Sequence, residues 1–423
     1  MELRMILVSA LIMLGALAGC GTTRPTLPPE NLACGLVDNG LIVQDALSPV
    51  LNVILRKRLL LALGEPTPSF NVLSLSAGGE FGAYGAAFLG GWRSAGVGAT
   101  PVARGDIQIV TGVSTGSLIA THAFLGEEDV VENKFRTLSG ADVYKARSAL
   151  ALIHANSLFD SSGKDAIIDL FIDSGMIDRV AAQPVDHRLY IGTVDLDSGE
   201  FLRIDMVKLA QTIEPKGLRD ACYKAIIGAS SAIPIAFSPK FIDGRMLVDG
   251  GARRFLFFTD LSADAKKLGV ARNLISLVHG DLQAGAEVTP NGVLQIAGRL
   301  SSVSSDQILK DSIFLQEAIS TSCIAGVGMG CPTATSPAAP FVTMYAAAAA
   351  AAKHCAPKKA QCATTSGLNG EDMFCNPFMN CLADEGRVDG ADYGSGRKPW
   401  LKASQLNLSS RSPADALLHT PMQ

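Results

Sequence analysis

Apolar residues cluster near the start of the chain in one long stretch and later fall into short blocks separated by glycine-rich turns. Met5 to Leu17 is apolar and closes in Leu17-Ala18-Gly19-Cys20. It is too short to span a bilayer comfortably and has the length of a signal-peptide h-region, with Arg4 as its positive charge and Glu2 weakening it. Residues 21–35 carry Pro25, Pro28 and Pro29 among Thr and Gly, the composition of an extended tether. Leu41 to Leu63 is apolar again and predicts a helix interrupted at Pro49. Gln44, Asp45 and Arg56-Lys57-Arg58 exclude a transmembrane span there. The helix is expected to pack on the main body, the membrane surface being the other place for it.

From Phe70 a different grammar begins. Asn71 to Ser76 reads as a strand, Ala77-Gly78-Gly79-Glu80-Phe81-Gly82 as a turn, and Ala83 to Trp92 as a helix of small residues. The next unit repeats it: Ile107 to Thr111 as strand, Gly112-Val113-Ser114-Thr115-Gly116 as turn, Ser117 to Leu125 as helix. Further strands are predicted at Arg188 to Val194, Glu200 to Asp205 and Asn273 to His279, and helices at Gly163 to Ser174 and Gly217 to Ala229. Strands alternating with helices imply an α/β fold with a largely parallel sheet. After about residue 318 the pattern fades. The alanine run Ala346 to Ala352 predicts a helix on propensity. From Cys355 on, Gly, Asn, Asp, Lys and four cysteines predict a disulfide-stapled, loop-rich appendage. The organisation expected is therefore 1–19 signal peptide, 20–69 tether and N-terminal helix, 70–318 catalytic domain, and 319–423 Cys-rich C-terminal region.

Composition changes this picture little. Apolar residues make up 48% and charged residues 18% of 423, which is globular material and not a disordered chain. A formal net charge of -4 gives no reason to expect nucleic acid as a partner. Cys20 changes it more. Leu17-Ala18-Gly19-Cys20 resembles the lipobox of bacterial lipoproteins, in which the Cys is acylated and becomes the new N-terminus. Gly21, where Asp would mark retention, implies by that resemblance the outer membrane of the cell envelope. In that oxidising compartment the eight remaining cysteines are expected to form disulfides, their connectivity left open. No CxxC pair points to structural zinc. Cys222, in an apolar helical stretch, reads as a buried thiol.

The chemistry gathers in three short segments. Gly112-Val113-Ser114-Thr115-Gly116 is the one GxSxG, set between a strand and a helix, where a sharp turn exposes the Ser at a helix N-terminus. Backbone amides at Gly78 and Gly79 could bind the oxyanion formed when Ser114 attacks an ester, with no side chain in the way. The segment is neither a phosphate loop nor a dinucleotide fingerprint, since it lacks Gly-Lys-Ser/Thr and the GxGxxG spacing. Leu247-Val248-Asp249-Gly250-Gly251 puts an acid at the end of an apolar run, where it could take the Ser proton directly.

In order, context and spacing these segments resemble patatin-like phospholipases. So do Gly82-Ala83-Tyr84-Gly85-Ala86, Ser157-Leu158-Phe159-Asp160, Thr193 to Glu200, and Ala229-Ser230-Ser231-Ala232-Ile233-Pro234. The resemblance covers roughly residues 70 to 280. It implies a three-layer α/β/α fold around a mainly parallel sheet, a Ser114–Asp249 dyad, an oxyanion loop at Gly78 and Gly79, a phospholipid or other fatty-acyl ester as substrate, and no metal or cofactor. Two positions depart from the family: Ala77 replaces its first glycine, and Phe81 replaces its usual Arg. The rivals are an α/β-hydrolase-type esterase with a Ser-Asp-His triad, drawing on His279, His354 or His419, and a catalytically silent lipid-binding lipoprotein.

Overall fold

A computed structural model of the chain describes residues 27–43, 70–96, 104, 107–147, 156–184, 186–257, 272–280, 289, 291, 293–321, 341–362 and 374–406. The predicted signal peptide with Cys20, nearly all of the predicted helix from Leu41, Cys323, Cys331 and His419 lie outside them.

The body is a mixed α/β fold built on one mostly parallel sheet. Its strands are β1 (Phe70–Leu75), β2 (Ile109–Val113), β5 (Arg188–Asp195), β6 (Phe201–Asp205), β7 (Lys240–Ile242), β8 (Arg245–Asp249), β9 (Arg272–Val278) and β10 (Phe341–Ala347), while β3 (Lys145–Ala146) and β4 (Phe159–Asp160) form a small separate ribbon. The order across the sheet is β10-β9-β1-β2-β5-β8-β7, and β6 pairs with β5 off that path. The first five of these strands run parallel; β6 and β8 run antiparallel to β5, and β7 antiparallel to β8. Strands buried on both faces read as continuous apolar blocks, as Ile109–Val113 and Leu189–Asp195 do, each residue of which is buried.

Helices α1 (Gly82–Ser94), α2 (Thr115–Leu125), α3 (Glu128–Thr137), α4 (Ser162–Phe171), α5 (Ser174–Ala181), α6 (Met206–Thr212) and α7 (Lys216–Ser230) cover the sheet. Among the described residues no helix is long and apolar enough to cross a membrane.

Three findings alter the sequence reading. Cys222 is not a free thiol: it forms a disulfide with Cys34. The end of the predicted tether is thereby docked. Leu32 bridges Ile242 at the sheet edge, and the Asp243 carboxylate accepts the amides of Cys34, Gly35 and Leu36 at 2.6–3.0 Å. The alanine run divides, Ala346 and Ala347 ending β10 before helix α9 (Ala349–Lys359) follows α8 (Val293–Thr321) in the chain. A sheet vacancy beside β9 outweighs helix propensity there. The C-terminal region is stapled by Cys355–Cys381 and Cys362–Cys375, as expected of an oxidised appendage. Where loops were expected, however, it holds the 19-residue helix α10 (Asn376–Gly394). Gly386 and Gly390 hide its apolar period: a Cβ on either would lie within 2.3 Å of Tyr84 O or 2.0 Å of Phe88 O, so α10 lies backbone-close on α1.

Candidate active site

Ser114 sits between β2 and α2 with φ 53 and ψ -123, a conformation that costs a non-glycine residue roughly 1–3 kcal/mol. The surroundings enforce it. Its amide donates to Ser230 Oγ at 3.0 Å, and that hydroxyl donates to Gly192 O at 2.7 Å. Its carbonyl accepts the Ser117 amide at 2.8 Å and the Ser117 hydroxyl at 2.6 Å. Gly116 is required by close approach, since a Cβ there would stand 2.3 Å from Leu75 O and 2.7 Å from Ser76 O. The backbone is thus fully engaged, while the buried side chain is left for other work.

The register of β5 brings Asp249 to it. β6 occupies one edge of β5 over Tyr190–Val194, so β2 and β8 share the other. Val113 pairs with Gly192, and Asp249 pairs with the next residue, Thr193. Two strands running in opposite directions therefore end against adjacent residues of β5, and their last residues meet. Thr193 Oγ1 donates to Val248 O at 2.6 Å and the Asp249 amide donates to Ala232 O at 2.9 Å, holding the end of β8 in place.

Asp249 Oδ1 accepts the Gly251 amide at 2.7 Å. Burial raises its pKa to about 6, against the lowering effects of the Ser114 hydroxyl, the Gly251 amide and the charge of Lys164. Oδ2 is buried and completes no hydrogen bond of full geometry, although the Ser114 hydroxyl is near enough to act on the carboxylate. A loose contact of this kind is common before substrate tightens a site.

The glycine loop lies beside this pair. Gly79 has φ 55 and open space where a Cβ would stand, whereas a Cβ on Gly78 would fall 1.7 Å from His279 O. Gly78 caps and Gly79 begins a 3-10 turn through Phe81, a position whose leading amides have no partner within the turn. Tyr144 completes the surroundings. Burial, then the charges of Glu80 and Asp249, push its hydroxyl pKa up, and its ring stacks on Phe237 at 5.2 Å and meets Phe159 edge-on at 4.8 Å.

The described histidines do not join the site. His279 Nδ1 donates to Ser76 O at 2.8 Å and Nε2 is buried without a partner, close against Gly85. Burial lowers its pKa to about 4, so it is neutral. His354 is exposed and faces Glu385 at 3.6 Å. Among the described residues no cluster could hold a metal ion.

Two participants have no role assigned from the sequence. Ser230 ties the Ser114 turn to β5, and its position at the end of α7 became meaningful only once α7 and β5 were placed. Lys164, buried and donating to Gly228 O at 2.6 Å, has its pKa lowered by burial to about 8 and acts electrostatically on Asp249. A lone lysine at the start of an amphipathic helix gave no signal.

Residues 73–261 match the family model of patatin-like phospholipases. This segment is a patatin-like phospholipase domain. The matched segment contains Gly78, Gly79, Ser114 and Asp249, and the match supports lipid hydrolysis in general. VipD from Legionella pneumophila, a crystal structure, is 11% identical over 76% of this chain and 67% of its own, with a TM-score of 0.30, a likeness too loose to bear on fold or function. A search of curated proteins found no match.

Proposed function

We propose that the protein is a serine lipid acyl hydrolase that cleaves a phospholipid or another fatty-acyl ester with a Ser114–Asp249 dyad. The observation that carries this reading is the pairing of Val113 and Asp249 with consecutive residues of β5, which brings the strained Ser114 turn to a buried carboxylate. Asp249 Oδ2 takes the proton as Ser114 Oγ attacks the ester carbonyl carbon. The Gly78 and Gly79 amides receive the negative oxygen. On collapse the C–O bond breaks and the leaving alcohol takes the proton from Asp249. Water then attacks the acyl-enzyme, gives its proton to Asp249, and releases the fatty acid as Ser114 is reprotonated. The rings of Tyr144, Phe159 and Phe237 supply an apolar wall within electrostatic reach of the base, suited to an acyl chain.

A fluorophosphonate probe should label the folded protein at Ser114, identified by peptide mass. Failure to label folded protein would favour a silent lipid-binding scaffold instead. Phospholipase A and lysophospholipase selectivity would be read from products released by mixed bilayers.

We further propose that Cys20 is acylated and anchors the enzyme in the cell envelope, at the outer membrane. One chain alone binds a bilayer only marginally, so several on Cys20 would be needed for firm attachment. Cys20→Ser should move the protein from the membrane fraction to the soluble one and abolish incorporation of a clickable palmitate analogue. Continued incorporation would end the lipobox reading.

A further inference from the structure

The glycine loop is held from below by residues at the ends of the central strands and from above by the C-terminal region. Below, the Ala77 amide donates to Phe255 O at 3.2 Å, and His279 packs under Gly78 while its amide and ring both bond Ser76. Above, Glu80 reaches the C-terminal region. Its Oε1 accepts Lys359 Nζ, and its Oε2 accepts the Cys375 amide at 3.2 Å. The neighbouring Phe81 meets Phe378 of α10 edge-to-face at 5.7 Å, and Lys359 Nζ lies 5.4 Å over the same ring.

These contacts converge on a stapled support. Lys359 ends α9 and Cys375 immediately precedes α10. The Cys362–Cys375 disulfide joins the two sides of that junction, and Cys355–Cys381 joins the helices themselves. α10 in turn lies backbone-close on α1, the helix into which the loop runs. The loop needs such a support. Gly79 is in the left-handed region with open space around it, so its own side chain contributes no packing. Glu80 is the one side chain between Gly79 and Phe81, and its carboxylate is largely covered, at 13% exposure.

We propose that Lys359, braced by the Cys362–Cys375 disulfide, is a positioning residue that holds Glu80 and thereby aims the Gly78 and Gly79 amides at the developing oxyanion. The inference rests on the hydrolase reading above and adds that the oxyanion loop is set by residues beyond 261, where the patatin match ends. Lys359 touches neither substrate nor the reacting atoms; it acts through Glu80.

The test uses the full chain, oxidised and purified, with a chromogenic short-chain ester. Losing one oxyanion donor costs about 10²–10³-fold in kcat, so loosening two should cost ~10-fold or more. Lys359→Gln should show that loss in kcat with KM changed less than about twofold, since an oxyanion contact is made in the transition state. Lys359→Arg, which keeps the ion pair, should retain most of the rate. The paired change Cys362→Ser with Cys375→Ser should reproduce the kcat loss; should that variant fail to fold, Lys359→Gln decides alone. Amide hydrogen exchange over residues 78–82 should quicken in Lys359→Gln without a matching change at β1 or α2. A folded Lys359→Gln protein with unchanged kcat, a loss confined to KM, or unchanged exchange in the loop would each overturn the proposal. A wild-type protein inert toward esters, with exchange quickened in Lys359→Gln, would instead retain the clamp and overturn the hydrolase reading.

Discussion

Ser114→Ala is expected to abolish turnover of a chromogenic ester while leaving thermal unfolding nearly unchanged. Every structural bond at this residue is made by its backbone: the amide to Ser230 Oγ, the carbonyl to the Ser117 amide and hydroxyl. Removing the hydroxyl takes nothing from that frame, and Ala tolerates φ 53 no worse than Ser does. The chemical loss should be total, because Ser114 carries the hydroxyl that acts on the Asp249 carboxylate. Nucleophile removal in serine hydrolases reaches roughly 10⁶-fold in kcat, so the variant should fall to background. A folded Ser114→Ala protein that still turned over ester at near wild-type rate would refute the proposed chemistry.

Asp249→Asn should separate activity from stability. Asn cannot accept the Ser114 proton, so general-base help worth roughly 10²–10⁴-fold is lost. Stability should move the other way at neutral pH. Burial holds the folded pKa at about 6, above the ordinary 3.8. Between those values the folded state binds more protons than the unfolded chain, so this group's contribution to stability declines as pH rises through that window. Above it, the ionised carboxylate costs the fold roughly 3 kcal/mol. The neutral amide escapes that cost and can still accept the Gly251 amide. The variant should therefore melt higher than wild type at pH 8 and show little or no gain at pH 4. The wild-type rate should correspondingly rise with pH to a plateau, half-complete near pH 6, because only the carboxylate accepts the proton. Equal melting temperatures at pH 8, or a rate flat between pH 5 and 8, would show that Asp249 is not the buried base described.

The strand–turn–helix grammar around Ser114 was legible because its determinants are local: a block of β-branched residues, small residues flanking the Ser, then helix formers. Asp249 was legible only through resemblance, since the fact that makes it a partner, the shared edge of β5, is a long-range pairing that no local pattern encodes. The same holds for Ser230, and for Lys164, whose burial comes from α7 packing over α4. The C-terminal helix reads as loop in the sequence because its contact face toward α1 is made of glycines, which carry no hydrophobic signal. Phe81 departs from the family's usual Arg. Its ring packs against Phe378, and a cation nonetheless stands nearby as Lys359, brought from 278 positions further along the chain.

The bond between Cys34 and Cys222 closes a ring of chain that contains Gly78 and Ser114 but not Asp249. A protease cut within the ring, at any point between residues 114 and 222, would put Ser114 and Asp249 on separate polypeptides. Those polypeptides would still travel as one covalent molecule, with the strands that form the site tethered to each other. Such a nicked enzyme would run as a single band on a non-reducing gel and as two only after reduction.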